Sequence, residues 1–206
     1  MSNSQANDQQ EKKRKLNSGN VILVGMMGSG KTTMGRALAK HFGKEFVDSD
    51  EEIQHRTGVT IPHIFDVEGE SGFRSRESSV ITDLVKRDNM ILATGGGAVI
   101  LEQNRTEMRQ NGIVIYLKAS VHDLWQRTRN DRNRPLLQTD DPHAKLAEIF
   151  QQRDAFYQQA ADIVIQSGKS GVHTLMLQVV SNIEEFIKNS PKNQFGFAEA
   201  GMRVHE

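Results

Sequence analysis

Gly25-Met26-Met27-Gly28-Ser29-Gly30-Lys31-Thr32 fits the G-x-x-x-x-G-K-[ST] phosphate-binding loop in full. Its neighbours suit it. Val21-Ile22-Leu23-Val24 before it is a short apolar, β-branched run of the kind that forms a buried strand. Thr33-Met34-Gly35-Arg36-Ala37-Leu38-Ala39-Lys40 after it reads as a helix. Strand, glycine loop and helix start aim backbone N–H groups at a phosphate, with the positive end of a helix dipole behind them. Lys31 is placed to reach the β- and γ-phosphates, and the Thr32 hydroxyl to ligate Mg²⁺. The motif specifies a nucleotide but not what happens to it.

A chain of 206 residues is expected to hold one domain with a sizeable core. Its formal net charge is zero, so electrostatics give no case for nucleic acid as a partner. Without cysteine there is neither a disulfide scaffold nor a thiolate metal site. No apolar run approaches membrane-spanning length, and the start of the chain lacks the apolar core of a signal peptide. The expected setting is the cytoplasm.

Residues 1–18 are polar and expected to be disordered, with Lys12-Lys13-Arg14-Lys15 as a solvated charge run. Residues 190–206 read as a loose tail whose Phe195 and Phe197 have no assigned partner. Between the tails, strand candidates at 20–24, 45–48, 90–93, 113–117 and 162–166 alternate with helical patterns. The helices are predicted at 31–42, 50–56, 61–66, 71–87, 101–110, 120–129, 142–159 and 172–188. Such alternation predicts an α/β fold: a parallel sheet covered by helices on both faces, with ligands beyond the carboxyl ends of the strands.

Several residues fall at those ends. Asp48 and Asp50 close the second strand in Phe46-Val47-Asp48-Ser49-Asp50. Either can cap the helix that starts near Glu51. Beside a phosphate loop, the pair also suits a metal-linked and a substrate-linked role. The third strand ends in Gly95-Gly96-Gly97 rather than in an acidic residue. A carboxylate near the metal must then come from elsewhere, and Asp48 is the candidate. The glycines allow close backbone approach to a ligand and offer bare N–H donors, or they form a flexible turn. Arg74 and Arg153 lie on helical segments and, taken alone, read as solvated. Segment 127–141 carries several arginines and no apolar stripe. It reads as a mobile loop, and over a nucleotide site as a lid that excludes water and brings an arginine to the transferring phosphoryl group.

In their order and spacing these pieces resemble shikimate kinase. The carrying residues are Gly25 to Thr32, Asp-Ser-Asp at 48–50, Phe-Arg at 73–74, Gly-Gly-Gly-Ala-Val at 95–99, Arg-Pro-Leu-Leu at 134–137, and Arg153 with Tyr157. The match spans about residues 19–188. The resemblance implies a P-loop NTPase-type fold like that of nucleoside monophosphate kinases: a five-stranded parallel sheet flanked by helices, a small substrate-binding region at about 49–76 and a lid at about 128–141. The kinase domain is then 19–189. It implies that Gly28, Ser29, Gly30, Lys31, Thr32 and Thr33 hold the ATP phosphates. Thr32 ligates Mg²⁺, and Asp48 supports the metal through water. Asp50 contacts the reacting hydroxyl. Arg74 and Arg153 bind the shikimate carboxylate, and the backbone at Gly96 and Gly97 binds the ring. Arg134 contacts the phosphates, Arg127 stacks on adenine, and Ser170 lies in the loop covering the other side of the base. The implied partners are ATP and shikimate, without nucleic acid or membrane, and the implied state is a monomer. Two other readings compete: a gluconate kinase of the same fold, whose substrate is also an anionic polyol, and a nucleotide-binding regulatory module without turnover.

Overall fold

Three of the five strands have almost no solvent exposure, and that burial dictates the architecture. The computed structural model describes residues 19–131, 135–168 and 171–189. β1 (Val21–Val24), β3 (Met90–Ala93) and β4 (Ile113–Lys118) are apolar on both faces, as a sheet with helices on each side requires. β2 (Glu45–Asp48) and β5 (Ile163–Gln166) are the edges. The order is β2-β3-β1-β4-β5, with every pairing parallel. All five strand candidates of the sequence are present, within one residue at each end.

The helices, in chain order, are α1 (Lys31–Phe42), α2 (Ser49–Thr57), α3 (Ile61–Leu84), α4 (Glu102–Asn111), α5 (Val121–Thr128), α6 (Pro142–Ala160) and α7 (Val172–Asn189). Their starts follow from local chemistry. The Asp48, Ser120 and Asp141 side chains accept from backbone N–H groups of α2, α5 and α6 respectively. Pro62 and Pro142 sit in first turns, where a missing N–H costs nothing.

α3 holds the two helices predicted at 61–66 and 71–87, joined across a kink. It runs on from 61 to 84, with one residue inside it out of helical geometry: Gly69, at φ 68° and ψ −177°. That conformation is open to glycine and strained for other residues. The break folds Glu68 back toward Arg76, which donates to both of its carboxylate oxygens at 2.8 and 2.7 Å.

The sheet separates two cores. Val21, Leu23, Ile91, Ile113, Ile115 and Leu117 pack against α1 and α7. Their strand neighbours Ile22, Val24, Leu92, Val114 and Tyr116 face α3, α4 and α6. The chain leaves β1 into α1 on one face, and leaves β3 toward α4 on the other. Because β1 and β3 are adjacent, a crevice opens between their carboxyl ends. The Thr94 N–H and hydroxyl both donate to Leu23 O across this point, at 3.1 and 3.0 Å. Among the described residues no helix is long and apolar enough to cross a membrane. The two tails, 1–18 and 190–206, lie outside the described residues.

Candidate active site

The phosphate loop joins β1 to α1, with Gly30 at φ 95° immediately before the helix. Lys31 is buried, and its ammonium donates to Gly25 O at 2.8 Å and Met26 O at 2.9 Å. The Ser29 hydroxyl oxygen is buried with no hydrogen-bond partner among the described residues. A loop of N–H donors, one buried cation and one unsatisfied hydroxyl suits an anionic ligand. Thr33 is exposed on the first turn of α1. Arg127, on the last turn of α5, bridges two loops: it donates to Gly28 O at 3.2 Å and to the Ser167 and Gly168 carbonyls at 3.0 and 2.9 Å.

Asp48 caps α2 and also touches the phosphate-loop threonine. Its Oδ1 accepts from Asp50 N at 3.0 Å as the cap of α2, and its Oδ2 accepts from the Thr32 hydroxyl at 2.9 Å. A hydroxyl and a carboxylate in contact beside a phosphate loop fit Mg²⁺, which takes one or two protein oxygens together with phosphates and water. Among the described residues no group of three His, Cys, Asp or Glu converges to hold a metal unaided, and this mode of binding needs none. Asp50 points the other way. A Cβ on Gly95 would lie 2.6 Å from its Oδ1, so the carboxylate packs directly against the glycine turn.

That turn is fastened at several points. Gly95 N donates to the Ser49 hydroxyl at 2.9 Å, and Ala98 N to Gly95 O at 3.2 Å. The Gly96 carbonyl accepts from the Tyr157 hydroxyl and from Arg153 Nη1, the latter at 3.3 Å. A Cβ on Gly97 would overlap the Arg74 guanidinium. The glycines therefore let three side chains close on one strip of backbone.

Arg74 and Arg153 are not solvated: they are 9 % and 6 % exposed. Arg74 comes from α3 and Arg153 from α6, and both reach Glu70 Oε1. Arg74 Nη1 also donates to Glu77 Oε2 at 2.7 Å. Glu77 is fully buried, and its other oxygen has no hydrogen-bond partner among the described residues. Burial pushes the Glu77 carboxyl up, against the pull of Arg74. Burial pushes the Arg153 guanidinium down, against the pull of Glu70 and Glu77. α6 is held in place by Asp154, which accepts from the Tyr116 hydroxyl at 2.7 Å and Lys118 Nζ at 2.8 Å on β4, and by Tyr157 stacked on Tyr116.

These groups line one cleft of about 670 Å³. Met27 of the phosphate loop, Asp50, Gly95 to Gly97, Arg74, Glu77 and Arg153 share its wall with the apolar Ile61, Phe65 and Phe73. Asp131, Pro135 and Leu136 close one side of it. Arg134 and Ser170, both predicted site residues, lie outside the described residues.

Comparison with known proteins decides among the kinases that share this layout. Residues 27–184 match the model of the Shikimate kinase family. The chain belongs to the shikimate kinase family. A shikimate kinase of Nitrosospira multiformis is 59 % identical over 152 residues, which are 74 % of this chain and 78 % of that one. A shikimate kinase of Burkholderia lata is 54 % identical over 165 residues, covering 80 % and 90 %. Among solved structures, shikimate kinase from Acinetobacter baumannii in complex with shikimate superposes with a TM-score of 0.80 at 44 % identity, covering 85 % of this chain and 97 % of that one.

Sequence reading of this shikimate kinase family member missed Glu70, Glu77 and Ser49. A signal existed for Glu77. It falls among Phe73, Val80, Ile81 and Leu84 on the buried stripe of α3, where a carboxylate needs a cation. Glu70 precedes Arg74 by one helical turn, a spacing that pairs charges.

Proposed function

We propose that this chain transfers the γ-phosphoryl group of ATP to the 3-hydroxyl of shikimate, giving shikimate 3-phosphate and ADP. The convergence of Arg74 and Arg153 beside Asp50, at the end of the phosphate loop, carries the reading. A small ring with one carboxylate and several hydroxyls needs planar cationic donors for the acid and backbone donors for the ring. Two buried guanidiniums and a glycine turn supply them. The turn's carbonyls at Gly95, Gly96 and Gly97 all accept internal hydrogen bonds, so ligand contact is assigned to the N–H groups of Gly96 and Gly97.

Gly28 to Thr33 hold the phosphates, and Lys31 moves from its own loop carbonyls to the β- and γ-oxygens. Thr32 and Asp48 hold Mg²⁺, Asp48 through water; bound with ATP, the ion neutralises phosphate charge. Asp50 orients the acceptor hydroxyl and takes its proton late, as the bond to phosphorus forms. An ordinary carboxylate is a weak base, but phosphoryl transfer depends more on positioning and charge neutralisation than on base strength. Arg127 packs on the base and Ser170 covers its other side. Segment 128–141 closes as a lid that brings Arg134 to the phosphates; Asp131, Pro135 and Leu136 already border the cleft. The reading makes the protein a cytoplasmic monomer acting on small molecules.

An ADP-release assay with shikimate, gluconate and nucleoside monophosphates tests it. Turnover is expected with shikimate alone. Faster turnover with gluconate overturns the assignment of substrate.

A further inference from the structure

The two pocket arginines already hold a carboxylate, and it belongs to the protein. Glu70 Oε1 accepts from Arg74 Nε at 3.2 Å and from Arg74 Nη2 at 2.9 Å. The Nε–Nη2 edge is one of the faces with which a guanidinium grips a carboxylate in a fork. Arg153 Nη2 lies 3.9 Å from the same oxygen. Both cations therefore converge on one atom of Glu70.

Glu77 is the useful contrast. Its side chain is 1 % exposed and bonds the other nitrogen of Arg74, so it is built into the core. The Glu70 side chain is 47 % exposed. Glu70 is also the first residue after the break at Gly69, at the outer end of the second half of α3. Rotation of its side chain frees the arginines without moving the helix that carries Arg74.

We propose that Glu70 is an internal competitor for the substrate's carboxylate: it occupies the arginine pair in the free enzyme and must be displaced for substrate to bind. The inference rests on the reading that Arg74 and Arg153 receive the acid group of shikimate. A bound acid would place a third carboxylate beside Glu70 and Glu77 on two guanidiniums. Repulsion then expels the most solvated of the three, which is Glu70. The exchange makes the pocket selective. An acid that grips both arginines regains what Glu70 gives up. A neutral polyol cannot, and it finds the arginines occupied. The apparent affinity for shikimate is correspondingly lower than the bare pocket would give.

Glu70→Gln keeps the shape of the side chain and removes its charge; Glu70→Ala removes both. Isothermal titration of the full chain with shikimate and with its neutral carboxamide reads the effect, and thermal melts check that both variants are folded. Half-exposed ion pairs are modest, so both variants are expected to bind shikimate roughly three- to tenfold more tightly than wild type. The carboxamide should change little, and the KM for shikimate should fall while the KM for ATP does not. Weaker shikimate binding in both variants would recast Glu70 as a support for Arg74, and unchanged affinity would remove it from the exchange; either result overturns the proposal. If wild type itself neither binds nor turns over shikimate, the substrate assignment falls and takes this proposal with it. Normal wild-type binding with no gain in the variants overturns this proposal alone.

Discussion

Gly97→Ala tests the site through one methyl group. Gly97 is not among the positive-φ glycines, so alanine is compatible with its backbone. The added Cβ would overlap the Arg74 guanidinium, the mobile end of a long side chain, and it is Arg74 that must move. Moving it breaks the 2.7 Å bond to Glu77 and turns the cation from the pocket. A hydrogen bond to a charged group contributes about 1.5–3 kcal/mol. Losing one such bond to the ligand weakens shikimate binding by roughly 10- to 150-fold, at about 1.4 kcal/mol per tenfold. Steady-state kinetics should show the KM for shikimate raised on that scale and the KM for ATP unchanged. A pH signature accompanies it. Burial already raises the Glu77 carboxyl above its ordinary 4.5, and loss of Arg74 raises it further. The folded state then holds a proton that the unfolded chain releases as pH climbs past about 4.5, so stability falls as pH rises through that window. Urea denaturation should find Gly97→Ala more destabilised, relative to wild type, at pH 8 than at pH 5. An unchanged KM for shikimate in a folded Gly97→Ala enzyme would refute the placement of Arg74 in the recognition site.

Three further outcomes follow from the same geometry. Lys31→Ala should nearly abolish turnover while leaving the circular dichroism spectrum intact; near-normal rates would take Lys31 out of the mechanism. Asp50→Asn should lower kcat by about 10²–10⁴ with ATP affinity little changed, whereas Asp48→Asn should demand more Mg²⁺ and recover partly when it is supplied. A Mg²⁺ series showing the reverse pattern of rescue would mean that the two aspartates are exchanged. Tyr157→Phe removes a donor to the Gly96 carbonyl but leaves Arg153 on it, so the KM for shikimate should rise about fivefold, the worth of roughly 1 kcal/mol; no change in KM would show that the turn holds without the tyrosine.

The elements were legible because their signals are local. Val21 to Val24 and Met90 to Ala93 are unbroken apolar runs, each preceded by asparagine and followed by glycine or threonine, as suits strands buried on both faces. The placement of β3 between β2 and β1 was not legible, since it is fixed by pairings between residues far apart in the chain. Within the site, the phosphate loop announced itself by spacing. The arginines did not: taken alone, Arg74 and Arg153 read as solvated, and only the resemblance to shikimate kinase placed them at the substrate before the fold brought them to the same glycine turn. Gly-Glu-Ser-Gly at 69–72 interrupts the helical pattern, and two helices were expected on either side of it. The structure has both, meeting at a kink at Gly69 that the Glu68–Arg76 pair spans. Glu70 and Glu77 stayed hidden among the many acidic residues of the chain, since only their contacts distinguish them.

The two cores have unequal standing. Tyr116, Tyr157, Met26 and Met27 belong to the core that meets the cleft, while α7 packs wholly into the other. Discrimination is thereby lodged in one half of the molecule, while both halves contribute to durability. Volume-conserving exchanges at Leu175, Val179 or Ile183 adjust the melting temperature behind the screen of the sheet, and the groove through which one acid is told from another is left untouched.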